Sequence, residues 1–315
     1  MPRGGGMTLS VAWVRIVNTV EELVFASDSR LRFGQAWDCC PKILTLPRTD
    51  CLISFAGDTH YAYPLMLQMN NAIDMYPPSR MRRVDIEDVR GHTLRVFNQM
   101  RDYISDLPVG YTKPSNPETL FLFGGYSWRE GAFKLWQLLY DPIIDKFTYR
   151  PYRWYPGKNQ RKLITFAGDE IKVFKTRLDE LLESRGKLKS GSFDMEPFEV
   201  LRDMIRSEAY PTIGGPPQVA KVYKHLNTQY FAVLWPTSEG KPCLVGRPAL
   251  PYEAMRVPIL DPDRPADQDR HRDRGGLTEE EEESFEDGEY DDWSEEEISI
   301  GEKQEDDDHD LTEKE

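Results

Sequence analysis

Four apolar segments near the start of the chain constrain the fold most, because each has the length and composition of a β-strand. They are rich in Val, Leu, Ile, Ala and Phe, and short polar stretches separate them in pairs, which predicts two hairpins. Continuous apolar runs are typical of strands in a sheet that is covered on at least one face. The four segments are residues 9–17, 23–29, 43–46 and 51–56.

Two long helical segments follow these strands, and two more lie in the second half of the chain. Apolar residues recur in the first two at the three- and four-residue spacing of an amphipathic helix. Asp58 or Thr59 can cap the first helix, and Pro77-Pro78 ends it. The four predicted helices cover residues 58–76, 86–107, 170–184 and 196–208.

Further strand patterns separate the two helix pairs and close the chain. The resulting order is strands, two helices, strands, two helices and final strands. This order favours an α+β fold in which two sheets lie between helix pairs on the two outer faces. The predicted strands are 119–123, 133–140, 146–150, 162–166, 218–224, 229–234 and a short one at 243–246, with turns at Gly124-Gly125 and Asp141-Pro142.

Charge divides the chain into a mildly basic body and a strongly acidic C-terminal segment. Residues 261–315 hold 26 acidic and 6 basic residues, a net charge of −20, which leaves 28 acidic and 34 basic residues, or +6, in the rest. The acidic segment has few aliphatic residues and cannot bury enough apolar surface to offset the entropy of ordering. We therefore expect a disordered acidic tail at 261–315, a folded domain at 8–260 and an N-terminal extension at 1–7.

Several classes of protein are disfavoured by composition. No apolar run approaches the roughly 18 residues that span a bilayer, and the N-terminus lacks the apolar core of a signal peptide. The five histidines have no ligand spacing, and the cysteines have no CxxC pattern. Adjacent Cys39 and Cys40 on an extended chain would point to opposite sides, which makes them poor metal ligands. We expect a cytoplasmic protein with reduced cysteines and no metal or cofactor, and the small positive charge of the body makes nucleic-acid binding unlikely.

A possible chemical centre lies in residues 8–57. Thr8 opens the first strand, Asp28 ends its hairpin partner, and Lys42 precedes the third strand. Removal of residues 1–7 would leave Thr8 with a free amine beside its hydroxyl, which is the arrangement of an N-terminal nucleophile. We interpret residues 1–7 as a propeptide or as a misassigned start. Met7 is then the expected initiator, since its removal is efficient before a small residue.

Further short motifs accompany these three residues in a fixed order. They are Asp28-Ser29-Arg30, Pro41-Lys42-Ile43, residues 55–58 before the first helix, residues 166–168 before the third, and residues 213–215 before the last strands. Their order and spacing resemble those of proteasome β-subunits and, more broadly, of N-terminal nucleophile (Ntn) hydrolases. The resemblance covers residue 8 to about residue 245, and the segment LVFASDSR is similar to the bacterial proteasome-related branch called Anbu.

The resemblance implies a four-layer αββα sandwich and a threonine-type amide hydrolase. Thr8 matches the nucleophile, whose α-amine acts as the base; such amines titrate at about 7.7–8.0. Lys42 matches the lysine that keeps this amine neutral, Asp28 its acidic partner, and the backbone N–H of Gly57 the oxyanion donor. The resemblance also implies a peptide or protein substrate and self-assembly into a ring or helical homo-oligomer.

The acidic tail has two interpretations. Its aromatic residues, set among acidic ones, suit docking on a basic groove, which would make it a contact for an ATPase or another protein partner. The alternative is a solubilising tail without a specific partner.

Departures from the family pattern leave a second function open. The serine before the third helix is replaced by Ala167, and the residues near the Gly-Gly turn align with Tyr210 and Ile213, with Glu208 as a displaced acid. Met7, not glycine, precedes Thr8. The alternative is therefore a catalytically inactive assembly or binding module of the same fold.

Each of the three central residues also has a purely structural interpretation. Thr8 suits an ordinary strand position, because threonine favours strands. Asp28 could cap a turn or pair with Arg30, and Lys42 could be a solvated loop lysine.

Overall fold

A computed structural model describes residues 8–33, 35–151, 153–155, 162–189, 192–238 and 240–266. The predicted N-terminal extension lies outside these ranges, as does the predicted tail beyond residue 266. The first six residues of that predicted tail are described. There Arg206 forms an ion pair of 2.5 Å with Asp263, and the Arg202 guanidinium donates a hydrogen bond of 2.7 Å to the Pro262 carbonyl.

The described residues form sixteen strands and five helices, so the α+β expectation is confirmed. The helices are α1 (Thr59–Asp74), α2 (Pro77–Arg80), α3 (Ile86–Arg101), α4 (Ile171–Ser184) and α5 (Glu196–Arg206). The strands are β1 (Leu9–Val17), β2 (Val20–Ser27), β3 (Leu31–Phe33), β4 (Gln35–Trp37), β5 (Ile43–Thr45), β6 (Cys51–Gly57), β7 (Thr119–Ser127), β8 (Ala132–Asp141), β9 (Lys146–Pro151), β10 (Arg153–Tyr155), β11 (Lys162–Gly168), β12 (Gln218–Tyr223), β13 (Asn227–Leu234), β14 (Pro242–Leu244), β15 (Arg247–Pro248) and β16 (Ile259–Leu260).

Two larger sheets contain most of these strands. The first has the order β10-β11-β1-β2-β12-β13-β14-β15, with β16 also pairing with β13, and the second has the order β5-β6-β7-β8-β9. All pairs within the described residues are antiparallel except β13 with β16. Strand β1 lies between β2 and β11, so the chain around Thr8 has a neighbouring strand on each side.

Apolar side chains collect in three clusters that follow from the alternation of the strands. The first cluster joins one face of the β1-containing sheet to α4 and α5, with Trp13 and Phe174 among its members. The second joins the other sheet to α1 and α3, with Phe97 and Phe121 among its members. The third combines side chains from both sheets, including Phe25. Each sheet is thus covered by apolar side chains on both faces.

A buried ion-pair network lies on β1, β2 and β12, several residues along these strands from Thr8. Glu22 accepts contacts of 2.7 Å from both Arg15 and Lys221, and Arg15 also pairs with Asp194 at 2.6 Å. The Lys221 side chain is fully buried. The Glu22 carboxylate on β2 therefore binds a cation on each neighbouring strand, and these ion pairs hold β1, β2 and β12 together within an otherwise apolar sheet face.

The structure differs from the sequence prediction at glycines and at helix ends. The predicted turn at Gly124-Gly125 is wrong, because β7 runs straight through both residues. A Cβ atom at Gly124 would lie 2.8 Å from the Lys134 carbonyl oxygen, and one at Gly125 would lie 2.3 Å from that of Asp50. These glycines are required by close neighbouring strands, not by a turn.

Several elements were missed or misplaced by the sequence patterns, among them the short strands β10, β15 and β16, which were not predicted. Helix α3 ends at Arg101, not at residue 107, and the chain then forms turns. Pro77-Pro78 ends α1 as expected but also starts the short helix α2, since proline suits the first helical positions. The β3–β4 hairpin was not predicted. No helix in the described part of the chain has the length and apolar content to cross a membrane.

Candidate active site

The antiparallel pairing of β1 with β2 places Thr8 beside Asp28. Ser10 lies opposite Ser27 in this ladder, so the residues that precede and follow them meet at the same end of the sheet. The Asp28 N–H donates to the Leu9 carbonyl at 3.2 Å, and the Leu9 N–H donates to Asp28 Oδ1 at 3.0 Å. Both Thr8 and Asp28 are fully buried. The side chain of Asp28 is therefore fixed against the backbone that follows Thr8.

The Asp28 carboxylate accepts four hydrogen bonds and organises the surrounding loops. Oδ1 accepts from the Leu9 N–H and from Lys42 Nζ, the latter at 2.8 Å. Oδ2 accepts from the backbone N–H groups of Arg30 and Gly214, each at 3.1 Å. Because four donors come from four different segments, this one carboxylate joins β1, the end of β2, the loop before β5 and the Gly-Gly turn.

Lys42 is a fully buried cation, so its interpretation as a solvated loop residue is wrong. Its Nζ donates to Asp28 Oδ1 and, at 2.5 Å, to the Arg30 carbonyl. Burial lowers the pKa of the Lys42 ammonium, and the Asp28 carboxylate opposes part of that decrease. Asp28 Oδ1 is shared by Lys42 Nζ and the Leu9 N–H, so the ammonium lies within two hydrogen bonds of the residue after Thr8.

Gln218 connects this loop to β12 and was missed by the sequence analysis. Its Oε1 accepts from the Lys42 N–H at 2.9 Å. Its Nε2 donates to Ser29 Oγ at 2.9 Å and to the Cys40 carbonyl at 2.7 Å. Its only signal in the sequence is a polar residue at the start of a strand pattern, which does not mark it as a contact of Lys42. Its amide holds Lys42 and Ser29 in one arrangement.

Gly168 and Asp169 contact Thr8 from the other side of β1. Gly168 has a φ of +110°, and a Cβ atom there would lie 1.8 Å from the Thr8 carbonyl oxygen, so only glycine fits. The Asp169 N–H donates to the same oxygen at 2.8 Å. Burial, followed by the nearby charges of Glu170 and Asp28, raises the pKa of the Asp169 carboxyl, whereas Lys42 opposes the increase. Asp169 was not predicted as a site residue.

The sequence Phe-Ala-Gly-Asp occurs twice, at 55–58 and at 166–169, and both copies adopt the same backbone geometry. Gly57 has a φ of +112°, close to that of Gly168, and a Cβ there would lie 2.0 Å from the Glu118 carbonyl oxygen. The Asp58 N–H donates to that oxygen at 3.1 Å, just as Asp169 does to Thr8. In each copy, one glycine and one aspartate hold the carbonyl of a neighbouring strand.

The two aspartates then differ in what their side chains do. The Asp58 carboxylate caps α1 by accepting from the His60 N–H at 2.9 Å. Helix α4 is instead preceded by Glu170 at the N-cap position, which has a left-handed φ of 53° and makes no side-chain cap. Among the described residues, none donates a hydrogen bond to the Asp169 carboxylate. This carboxylate is therefore available to the space beside Thr8, Asp28 and Lys42.

Gly57 is the fourth predicted site residue, and the two residues that precede it contact this region. A Cβ atom at Gly168 would lie 3.3 Å from Ala56 Cβ, and Ser10 Oγ donates to the Phe55 carbonyl at 3.2 Å. The end of β6 therefore borders the start of β1. Gly57 itself pairs with Thr119 in the second sheet.

The residues that depart from the family pattern lie close to this centre. Ala167 is buried and pairs with Ser10, two residues beyond Thr8. Ile213 is buried directly before Gly214, and Tyr210 packs against the Arg177 guanidinium at 5.5 Å. The arrangement supplies one buried cation, two carboxylates and two serine hydroxyls, those of Ser10 and Ser27, which lie 2.7 Å apart.

Comparisons with known proteins add no assignment to this geometry. A scan against protein-family models finds no match, and a search of curated proteins finds no significant relative. Within the described residues, no group of three His, Cys, Asp or Glu side chains is arranged to hold a metal ion.

Proposed function

We propose that this chain is an Ntn amide hydrolase of the proteasome β-subunit type, with Thr8 as the nucleophile. The observation that carries the proposal is the shared Asp28 Oδ1, which binds both the Leu9 N–H at 3.0 Å and Lys42 Nζ at 2.8 Å. A fully buried lysine–aspartate pair is costly to desolvate. The lysine–aspartate pair lies at the start of β1, directly after Thr8. A requirement for positive charge beside the Thr8 hydroxyl and amine explains why the pair is placed there.

In this mechanism, removal of residues 1–7 converts the backbone nitrogen of Thr8 into an α-amine. The amine accepts the proton of the Thr8 hydroxyl as Oγ1 attacks an amide carbonyl, and it later returns the proton to the leaving amine. The Lys42 ammonium favours the neutral amine by repulsion between like charges and stabilises the developing negative charge. Asp28 keeps Lys42 charged and in place, and the Gly57 N–H is the proposed oxyanion donor.

The proposal includes a four-layer αββα sandwich. Its support is the three apolar clusters, of which one joins α4 and α5 to the first sheet, one joins α1 and α3 to the second, and one combines the two sheets. Thr8 and Asp28 meet at the strand ends of the first sheet, where both are fully buried.

The direct test is covalent labelling of the terminal threonine. Protein expressed from Met7 is analysed by intact mass to establish that Thr8 is the first residue, and it is then treated with a peptide epoxyketone, which reacts with the amine and hydroxyl of a terminal threonine. We expect one adduct per chain, which maps to Thr8. The Thr8→Ala variant is the control and should not be labelled. An exposed Thr8 that does not react would rule out the hydrolase.

A catalytically inactive assembly or binding module is the second candidate. Ala167 favours it, because that position offers no hydroxyl near Thr8. The labelling experiment separates the two functions, since an inactive module with a free Thr8 would form no adduct.

Self-assembly and a protein partner for the acidic tail form a further part of the proposal. Sedimentation velocity of the full chain tests self-assembly. Comparison of the full chain with a chain that ends at Ala266 tests whether the tail has a protein partner. Ala266 is the suitable end point, because the Arg206–Asp263 pair is retained. A full chain that sediments as a monomer would exclude the homo-oligomer. Identical retention of both forms on a column carrying the candidate ATPase would exclude the tail as its docking segment.

A further inference from the structure

Cys39 lies in a turn, and Cys40 follows it directly, two residues before the site lysine. Residues 38 and 39 form this turn, so the premise of an extended chain through Cys39 is wrong. Cys39 is exposed and Cys40 is half-buried. Both thiols are free, and only Pro41 separates them from Lys42.

The two thiols lie together beside polar groups of neighbouring segments. The two thiols belong to consecutive residues of the chain. Tyr63 approaches from α1, where its hydroxyl donates to the Pro41 carbonyl at 3.0 Å. Arg247 and Lys42 are close enough to Cys39 and Cys40, respectively, to interact electrostatically. Burial and the neighbouring Cys39 raise the pKa of the Cys40 thiol, and Lys42 opposes part of the increase. The exposed Cys39 is therefore the thiol placed to meet an oxidant, with Cys40 as its neighbour.

Backbone hydrogen bonds connect this dithiol to the proposed site. The Cys40 N–H donates to the Ser29 carbonyl at 3.0 Å, and the Cys40 carbonyl accepts from Gln218 Nε2 at 2.7 Å. The same Gln218 amide accepts the Lys42 N–H at 2.9 Å. A change in the Cys39–Cys40 peptide therefore acts directly on the Cys40 N–H that binds Ser29, and through the Cys40 backbone on the next carbonyl, which Gln218 binds while it holds Lys42.

We propose that Cys39 and Cys40 form a redox-active dithiol that a peroxide converts into a vicinal disulfide. The exposed Cys39 thiolate attacks one oxygen of hydrogen peroxide, the O–O bond breaks, and Cys39 becomes a sulfenic acid as the first water leaves. The Cys40 thiol then attacks that sulfur, the S–O bond breaks, and the second water leaves. Two thiols are oxidised by two electrons, and one peroxide is reduced to two waters.

The geometry of adjacent cysteines makes this disulfide reversible. Their Cα atoms are separated by about 3.8 Å across a trans peptide, below the range of about 4.4–6.8 Å usual for disulfides. A bond closed over so short a distance is strained and is readily reduced by thiols. Ring closure also has to rotate the intervening peptide, which breaks the hydrogen bond from the Cys40 N–H to Ser29 and shifts Cys40, whose own carbonyl is bound by Gln218. Oxidation then loosens Lys42, and this last step rests on the proposed function.

Mass spectrometry of the full chain tests the dithiol without reference to hydrolysis. After peroxide treatment and alkylation under denaturing conditions, the wild type should carry two alkyl groups in place of four and map a disulfide to Cys39–Cys40. The Cys39→Ser and Cys40→Ser variants should form no such bond, whereas Cys51→Ser should still form it. Four alkylated cysteines after oxidation, or a sulfinic acid on Cys39 alone in the wild type, would overturn the proposal.

Two further labelling measurements separate this inference from the proposed function. Phenylarsine oxide, which condenses with two neighbouring thiols, should add once to the reduced wild type and should not add to Cys39→Ser. Epoxyketone labelling of Thr8 should fall on oxidation and return with dithiothreitol, while Cys39→Ser is labelled equally with or without peroxide. Absence of labelling in both redox states would refute the hydrolase, and the disulfide map would still decide the dithiol. Unchanged labelling of an oxidised wild type would overturn the link to Lys42.

Discussion

Replacement of Lys42 by methionine tests whether the buried pair with Asp28 is a structural unit and a requirement of the site. Methionine keeps most of the volume of the side chain and removes the charge. Lys42 Nζ donates to Asp28 Oδ1 at 2.8 Å and to the Arg30 carbonyl at 2.5 Å, and both acceptors lose their partner in this variant. The perturbation therefore leaves an uncompensated carboxylate at a position without solvent access.

The expected loss of stability follows from these contacts. Breaking a buried ion pair by removal of one partner costs about 3–5 kcal/mol. Asp28 keeps three backbone donors, from Leu9, Arg30 and Gly214, so we expect the lower end, about 3 kcal/mol. For a domain of this size, about 3 kcal/mol corresponds to a decrease in Tm of roughly 6–12 °C.

Lys221→Met is the matched control, because Lys221 is also a fully buried lysine bonded to a carboxylate at 2.7 Å. Its partner Glu22 retains Arg15, and we expect a similar decrease in stability, about 3 kcal/mol. Urea denaturation measures both losses, and epoxyketone labelling under native conditions measures Thr8 reactivity. Only Lys42→Met should lose labelling. A loss of stability below about 1 kcal/mol in Lys42→Met, or equal loss of labelling in both variants, would refute the reasoning.

Two further substitutions examine the contacts of Asp169 and Gly168. The native pKa of Asp169 is raised, so its ionisation costs stability as pH rises from its unfolded value through the native one. We therefore expect Asp169→Asn to be more stable than the wild type at pH 7 and to lose this advantage in acid. Asp58→Asn is the control, and its stability should be nearly unchanged, because asparagine keeps an oxygen that can cap α1. Equal denaturation curves for all three proteins at pH 7 would contradict this expectation. Gly168→Ala should be less stable than Gly186→Ala, because both residues have positive φ but only Gly168 faces a carbonyl oxygen, 1.8 Å from the added Cβ. Similar urea midpoints for the two alanine variants would show that this contact relaxes at little cost.

Local patterns in the sequence were sufficient to predict the four long helices and most of the strands, but not the short α2 or the end of α3. The apolar residues that recur in α1 and α3, and the apolar runs of β1 and β2, can be recognised within short, continuous segments of the sequence. The proximity of Asp28 to Lys42 followed from a motif order, and the structure places them in direct contact at 2.8 Å. These features need no knowledge of distant parts of the chain.

The remaining features depend on registers that consecutive residues do not encode. Gln218 reaches Lys42 across 176 positions, and nothing in its own neighbourhood marks it as a loop anchor. Gly124 and Gly125 look like a turn in isolation, yet their reason is the carbonyl groups of adjacent strands. The turn at Cys39 likewise depends on its packing against other loops, so the sequence predicted an extended chain there.

The two copies of Phe-Ala-Gly-Asp have an unequal effect on the helices that follow them. The Asp58 carboxylate accepts a hydrogen bond from one backbone N–H in the first turn of α1. Glu170 precedes α4 in a left-handed conformation, and its side chain makes no such hydrogen bond. A missing cap typically costs a helix about 0.5–2 kcal/mol. The first turn of α4 is accordingly the weaker of the two helix starts, and it borders Thr8. If Thr8 acts as proposed, a peptide that binds there lies beside the less firmly capped of these two helix starts, so its arrival can shift the first turn of α4 without disturbing the interior of either sheet.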